Sequence, residues 1–205
     1  MNKRIAIFTF LLLVTSCAQL KKKTPIEHDS TYIRTFHEGV RFKLNGQYPE
    51  AIDKLNSCVL QDELDDAAHF ALAQIYLEQN NLEQAAIHTK RASEIDPKNQ
   101  HYQSELAFMY IELERYDLAV VVFEKLLKQA PTNQSFYAGA SACYAKMGNT
   151  KKGLDLLSRM ENNMGSNPGI SIEKFKLLVA ANRDEEGIAI LFAAKKKFEG
   201  EPMII

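Results

Sequence analysis

Small and apolar residues recur along this chain with a period of 34 residues. Counted from Ala51 in steps of that length, every position is small: Ala51, Ala85, Ala119, Gly153 and Gly187. The position four residues later is mostly large and apolar, with Leu55, Thr89, Phe123, Leu157 and Leu191. The position nine residues earlier holds Phe42, Tyr76, Tyr110, Tyr144 and Leu178. Three columns that continue without a gap indicate an internal repeat.

Each repeat predicts two helices joined by a tight turn. The first helix has a small residue three positions before the aromatic column, namely Gly39, Ala73, Ala107 and Ser141, and the second begins shortly before the Ala51 column. Four residues that tolerate a left-handed backbone fall between the helices: Gly46, Asn80, Gly148 and Asn182. Pro97 and Pro131 close the second and third units, since proline ends one helix and allows another to begin.

The period and these residue types resemble the tetratricopeptide-repeat (TPR) family over residues 32–199. The resemblance implies an all-α fold, a right-handed superhelical solenoid of antiparallel helix pairs, with about five units across residues 31–199. Small residues let paired helices approach closely, and stacked pairs bury the apolar face that one pair leaves exposed. The chain departs from the family at its tryptophan position, which holds Thr35, His69, Gln103, Tyr137 and Ser171, and in unit five, where Phe175 replaces the small residue.

The first sixteen residues predict an export signal. Lys3 and Arg4 precede an apolar run over residues 5–14, which is too short to span a membrane. The residues that follow, 14–17, resemble the lipobox of bacterial lipoproteins, whose cysteine is lipid-modified. The resemblance implies that the signal peptide 1–16 is cleaved and that Cys17 carries lipid, with a chance cysteine after an ordinary signal as the alternative. The residue after the cysteine, Ala18, is similar to the residue found at this position in lipoproteins that reach the outer membrane.

Residues 17–30 predict a tether, since residues 18–30 lack periodicity and include Pro25. The lysines at 21–23 either contact anionic head groups or are simply solvated. At the other end, residues 188–194 are all apolar, and an apolar tail lies within residues 200–205. Terminal repeats normally need a polar outer surface. We therefore expect this end to be covered by a further helix of a longer chain, by a second copy or by a partner.

Charge and motifs argue against several classes of function. Removal of Lys3 and Arg4 with the signal leaves 23 basic against 26 acidic residues, which gives no reason to expect nucleic-acid binding. No phosphate loop, dinucleotide fingerprint, zinc-protease pair or nucleophile elbow occurs, so we expect neither enzyme activity nor a cofactor. The histidines at 28, 37, 69, 88 and 101 are assigned to the tether or to different units, which predicts no metal site. Cys58 and Cys143 should be buried free thiols, too far apart for a disulfide.

In this family the concave face is lined mainly by first helices. The register places sixteen residues there: Ile33, Phe36, Val40 and Lys43; Ala67, Phe70, Gln74 and Leu77; His101, Ser104, Phe108 and Ile111; and Ser135, Ala138, Ala142 and Ala145. Phe36, Phe70 and Phe108 either form an aromatic strip that holds a peptide or pack between neighbouring helices. We predict that the binding residues are Phe36, Val40, Phe70, Gln74, Phe108 and Ile111. The chain lacks the lysine and asparagine cluster with which some members of the family hold a terminal carboxylate.

These features predict a membrane-anchored lipoprotein that acts as a scaffold or adaptor for a protein or peptide in the bacterial cell envelope. A self-assembling structural protein of the envelope is an alternative, as is the N-terminal part of a longer TPR protein.

Overall fold

The computed structural model describes residues 28–198, which form ten α-helices and no strand. The helices are α1 (Ser30–Leu44), α2 (Tyr48–Gln61), α3 (Asp66–Glu78), α4 (Leu82–Ile95), α5 (Gln100–Glu112), α6 (Tyr116–Gln129), α7 (Gln134–Lys146), α8 (Thr150–Met164), α9 (Pro168–Ala180) and α10 (Asp184–Lys197). Consecutive helices pair as five units, α1–α2 to α9–α10, as the repeat predicts. The signal peptide, Cys17, most of the tether and the tail at 200–205 lie outside the described residues.

The first helix of every unit begins with the same kind of cap. A carboxylate or amide oxygen accepts a backbone N–H of the first turn in each case, from Asp29, Asp65, Asn99, Asn133 and Asn167. Such a cap typically stabilises a helix by about 1 kcal/mol relative to alanine. Helix α1 begins at Ser30, which lies within the segment predicted as a tether. In the same segment, Nε2 of His28 lies 3.0 Å from Oδ2 of Asp62, so this residue already contacts unit one.

The turn inside each unit has a left-handed residue at the same repeat position. Gly46, Asn80, Gly148 and Asn182 have φ values of 56–72°, as predicted, and a fifth residue that was not predicted, Glu114, has a φ of 55°. The next residue donates its N–H to the carbonyl of the aromatic column, for example Asn81 to Tyr76 over 2.8 Å. This bond satisfies a carbonyl at the helix end and turns the chain back on itself.

The repeat columns form the interior. Ala51, Ala85 and Ala119 are fully buried, as are Leu55 and Leu157. A large cluster extends from Ala85 to Leu177, two smaller clusters lie in units one and two, and the ring of Tyr76 packs against both the large cluster and one of the smaller ones. Gly39 shows why a small residue is needed, because a Cβ built there would lie 2.8 Å from Leu55 Cγ.

In units two to four the family's tryptophan position is occupied by buried side chains with polar groups that hold the preceding loop. Gln103 Nε2 donates to Pro97 O over 2.6 Å, and Tyr137 Oη donates to Pro131 O over 3.1 Å. His69 has a backbone hydrogen bond with Glu63, six residues earlier as in the other two cases. A hydrogen bond to the loop thus replaces the missing indole in units two to four.

Candidate functional site

The residues predicted to line the concave face are all at least partly exposed. None of its sixteen predicted residues is buried, whereas Leu72, Ala73 and Ile75 on α3 and Leu106 and Ala107 on α5 face the interior. The first helices therefore present the predicted side chains outward. This placement agrees with the predicted register, and it leaves the binding role of these residues a prediction.

The three phenylalanines do not form one strip. Phe36 is half-buried against the clusters of units one and two. The Phe70 ring contacts α5, with its centroid 4.7 Å from that of Tyr102 and 5.2 Å from that of His101. Both rings therefore pack between neighbouring helices, the second of the two alternatives. Phe108 differs, since 49% of its surface is exposed.

The other three predicted binding residues, Val40, Gln74 and Ile111, are half-buried. Lys43 Nζ donates to Gln74 Oε1, which links units one and two across the face. Burial lowers the pKa of Lys43, and the nearby carboxylate of Glu78 partly opposes that shift. Val40 is also half-buried, and Ile111 packs against the large core cluster. In units one and two the face is thus largely filled by its own side chains.

Unit four opens the face into a cavity. The predicted residues on α7 are all small, and α7 contacts α9 directly. A cavity of about 320 Å³ lies between these helices, with Ala138, Ala142 and Ala145 on one side and Lys176, Leu177 and Ala180 among the residues on the other. The α9 side was not among the predicted binding residues. Stepping 34 residues onward from Ala142 would have reached Lys176.

The cavity has an apolar floor and a charged rim. Lys176 Nζ lies 2.9 Å from Glu173 Oε1, and Lys146 lines the same cavity. Exposed pairs of this kind contribute little stability, so these side chains are free to reorient toward a ligand. The site is suited to burying an apolar group with polar groups at its edge.

A family model for the tetratricopeptide repeat matches residues 44–107 and 110–164, which together cover more than half of the chain. The chain belongs to the tetratricopeptide repeat family. This match confirms the resemblance drawn from the 34-residue columns.

Two curated proteins are related to this TPR chain by sequence. The human General transcription factor 3C polypeptide 3 is 26% identical over 166 residues, covering 78% of this chain and 19% of that protein. Hsp70-Hsp90 organizing protein 3 of Arabidopsis thaliana is 25% identical over 138 residues, covering 65% of this chain and 25% of that protein. The TPR chain thus spans a quarter or less of each relative.

Solved structures of MamA share the TPR fold. One MamA crystal structure superposes with a TM-score of 0.62 at 13% identity, covering 85% of this chain and 98% of that one. MamA AMB-1 gives 0.60 at 18% identity, covering 85% and 96%. MamA from Desulfovibrio magneticus RS-1 gives 0.59 at 11% identity, covering 84% and 99%. At these identities the likeness is one of fold, and it confirms the all-α solenoid.

The last helix of the TPR array exposes apolar side chains, as its sequence predicted. Phe192 is 68% exposed and Ile188 is 46% exposed, whereas Gly187 and Ala194 on the same helix are buried. What covers this end stays a prediction.

Two cysteine thiols and the Tyr32 side chain are buried in the TPR array. Cys58 and Cys143 are buried and free, as predicted, and burial raises the pKa of each thiol to about 11. Burial, and then the hydrogen bond to Asp65, raises the pKa of Tyr32. Within residues 28–198 no helix is long and apolar enough to cross a membrane, and no group of three or more metal-ligating side chains converges.

The assignment of every histidine to a different unit or to the tether is wrong for one pair. His69 on α3 and His88 on α4 belong to the same unit, and their Nδ1 atoms lie 3.1 Å apart. The antiparallel pairing of α3 and α4 on either side of the turn at Asn80 brings them together.

Proposed function

We propose that this chain is a non-catalytic TPR scaffold that binds a protein or peptide through the cavity in unit four of its concave face. The single observation that carries this proposal is the change in side-chain size along the face. Half-buried rings fill it in units one and two, whereas the small residues Ala138, Ala142 and Ala145 line an open cavity in unit four. Exposed Phe108 belongs to the preceding unit of the same face.

The size of the cavity suits one large apolar side chain of a partner. An aromatic residue buries about 150–250 Å² when it is enclosed. At about 25 cal/mol per Å², this burial contributes roughly 4–6 kcal/mol before the costs of association are subtracted. One such anchor, together with the exposed ring of Phe108 in the preceding unit, accounts for specific recognition of a short segment.

One relative supports a scaffold role by its name, since Hsp70-Hsp90 organizing protein 3 is named for organising two other proteins. The chain spans only a quarter of that protein, so the likeness supports partner binding in general. It does not transfer the chaperone partners, because the lysine and asparagine cluster expected for a terminal carboxylate is missing from the concave face.

Filling the cavity tests the proposal. Ala142→Gln places a longer side chain in the opening while keeping a good helix former, and Phe108→Ala removes the exposed ring. The matched control is Ala67→Gln, the same change at an exposed alanine on α3. We expect photo-crosslinking from Lys176, with a photoreactive analogue at that position, to give a discrete heterologous product in cells. That product should disappear in the first two variants and persist in the control.

Circular dichroism of the same proteins checks that helicity is retained. A product of equal intensity in Ala142→Gln, Phe108→Ala and the parent would overturn the choice of the unit-four cavity.

We also propose that lipid on Cys17 anchors the scaffold to a bacterial envelope membrane, with the outer membrane as its destination. Support comes from the sequence alone: an apolar run of signal length followed by the lipobox-like residues 14–17 and by Ala18. Several acyl chains together hold a protein at a membrane, whereas one gives marginal binding. Cys17→Ser should abolish labelling by radioactive palmitate and release the protein from membranes. Labelling that survives this substitution would contradict the anchor.

Self-assembly is a second candidate, favoured by the exposed Phe192 and Ile188 on α10. Under this alternative, crosslinking in cells gives one dominant product that contains two copies of the chain. Phe192→Gln should remove that product while leaving the unit-four product intact. Recruitment without self-assembly gives the reverse pattern, in which Phe192→Gln has no effect and Ala142→Gln does.

A further inference from the structure

Unit two contains a pair of imidazoles that meet edge to edge between its two helices. The centroids of His69 and His88 are 5.4 Å apart with ring planes inclined by 37°, and the Nδ1 atoms are 3.1 Å apart. His88 also stacks on Tyr76, with centroids 5.5 Å apart and planes inclined by 18°. His69 is only 8% exposed. Packing therefore fixes both rings before any ligand arrives.

The backbone sets the orientation of His69. Its hydrogen bond with the Glu63 backbone raises the pKa of the imidazole, although burial has the larger effect and lowers it overall. A bond that favours the protonated ring is one that the ring donates, so the acceptor is the Glu63 carbonyl. Nδ1 of His69 faces Nδ1 of His88, so a hydrogen bond to this carbonyl uses the opposite ring nitrogen, Nε2. Metal-binding histidines typically show this arrangement, in which the second nitrogen donates to a carbonyl.

The pair opens onto a cavity of about 400 Å³ between the end of α2 and α4. Its lining includes both histidines and four charged residues, Glu63, Lys90, Arg91 and Glu94. Lys90 and Arg91 lie 3.9 and 3.7 Å from carboxylate oxygens of Glu94, so the local charges largely balance. Both histidines therefore border a solvent-accessible cavity whose cationic side chains are paired with carboxylates.

The spacing of the two nitrogens fits a metal ion. Imidazole nitrogens bind zinc at about 2.0–2.1 Å. Two nitrogens that are 3.1 Å apart then subtend roughly 100° at the ion, between the octahedral and tetrahedral angles. Imidazole ligands are suited to divalent zinc, copper and nickel.

The TPR fold does not require this pair. At the His69 position, units three and four hold Gln103 and Tyr137, which bond to their own loops in the same way. At the His88 position they hold the buried apolar residues Val122 and Leu156. The two histidines are therefore a feature of unit two, and other residues serve the structural purpose elsewhere.

We propose that His69 and His88 bind one divalent first-row metal ion, such as Zn²⁺, through their Nδ1 atoms, with water at the remaining coordination positions. The ion replaces the hydrogen bond between the rings and joins α3 to α4. This proposal departs from the prediction of no metal site, which rested on assigning the histidines to different units. It is independent of the unit-four cavity, which lies elsewhere in the array.

Zinc titration of the full chain by calorimetry tests the proposal. The protein is purified in non-ionic detergent without a polyhistidine tag, with Cys17→Ser in every sample so that this thiol cannot compete. Two variants borrow residues from other units and should fold: His69→Gln, as in unit three, and His88→Leu, as in unit four. His101→Gln changes an exposed histidine and is the control.

We expect one zinc ion per chain with micromolar affinity, unchanged in His101→Gln and weakened at least about 10-fold in each of the other variants, since loss of an outer-shell partner alone costs that much. Zinc should also raise the Tm of the parent and not that of His88→Leu. Binding of equal strength in the parent and in His69→Gln or His88→Leu would overturn the proposal, as would the lack of saturable binding below millimolar zinc.

Discussion

Gly139 on α7 provides a quantitative test of the packing between units three and four. A Cβ built on Gly139 would lie 2.4 Å from Cζ of Phe123 and 2.8 and 3.0 Å from its Cε atoms. Phe123 is buried in the large core cluster, so its ring has little room to move. We predict that Gly139→Ala destabilises the protein, although alanine is the better helix former.

Two opposing effects set the magnitude of this change. Forcing a methyl group into a packed core costs about 1–3 kcal/mol. Replacing a helical glycine by alanine recovers about 1 kcal/mol. The net loss in the free energy of unfolding should therefore be roughly 0–2 kcal/mol, which urea denaturation monitored by circular dichroism can measure.

A double-mutant cycle with Phe123→Leu separates the two effects. Leucine occupies the equivalent position in units one and four, at Leu55 and Leu157, so the fold accepts it there. With the ring removed, Gly139→Ala should become stabilising by about 1 kcal/mol, so the coupling between the sites is about 1–3 kcal/mol. If Gly139→Ala has the same effect in both backgrounds, the predicted clash with the ring is absent and the reasoning fails.

Three further predictions concern buried and paired groups. Burial raises the pKa of Cys58 and that of Cys143 to about 11, so the thiols lose their protons at a lower pH in the unfolded chain than in the folded one. The free energy of unfolding should therefore fall as the pH rises from about 8.5 to about 11. Iodoacetamide at pH 8 should label either thiol only after unfolding. Tyr137→Phe should cost about 0.5–1.5 kcal/mol in urea denaturation, because the ring loses the hydroxyl that donates to Pro131 O and accepts from Asn163 Nδ2. Lys174 and a serine hydroxyl lower the pKa of Glu161 in the folded protein. The ionised carboxylate therefore stabilises the fold at a pH above the pKa that Glu161 has in the unfolded chain, and this stabilisation is lost as the pH falls. Glu161→Gln should flatten the acid side of the pH–stability curve.

Much of the fold could be predicted from the sequence, because the structural columns repeat. Four of the five left-handed turn residues were recognised as glycine or asparagine. Glu114 was missed because glutamate has no particular preference for that conformation. The period alone would have found it, since it lies one repeat after Asn80. Position in the repeat was here more informative than residue type.

The concave face could be predicted only in part. None of the sixteen side chains that the register assigned to this face is fully buried, but the register could not show how far each one protrudes. Phe70 is half-buried because Tyr102 and His101, on the next unit, reach its ring. Phe108 has no ring contact of that kind and stays exposed. Such differences depend on rotamers and on the neighbouring unit, neither of which a periodic pattern specifies.

Positions that repeat and positions that vary contribute differently to this protein. A column such as Ala51, Ala85 and Ala119 is constant because each unit must meet its neighbour in the same geometry, so it carries information about the fold. A column that changes from unit to unit is free of that demand. The Val40 column continues with Gln74, Phe108, Ala142 and Lys176, and the His88 column continues with Val122 and Leu156. Both proposed sites use such varying columns, and this is physically reasonable because a solenoid can gain a local site without altering the contacts that hold its units together. Substitutions at Ala142 or His88 should accordingly change binding with little effect on the fold, whereas those at Ala85 or Ala119 should unfold the array before any effect on binding can be seen.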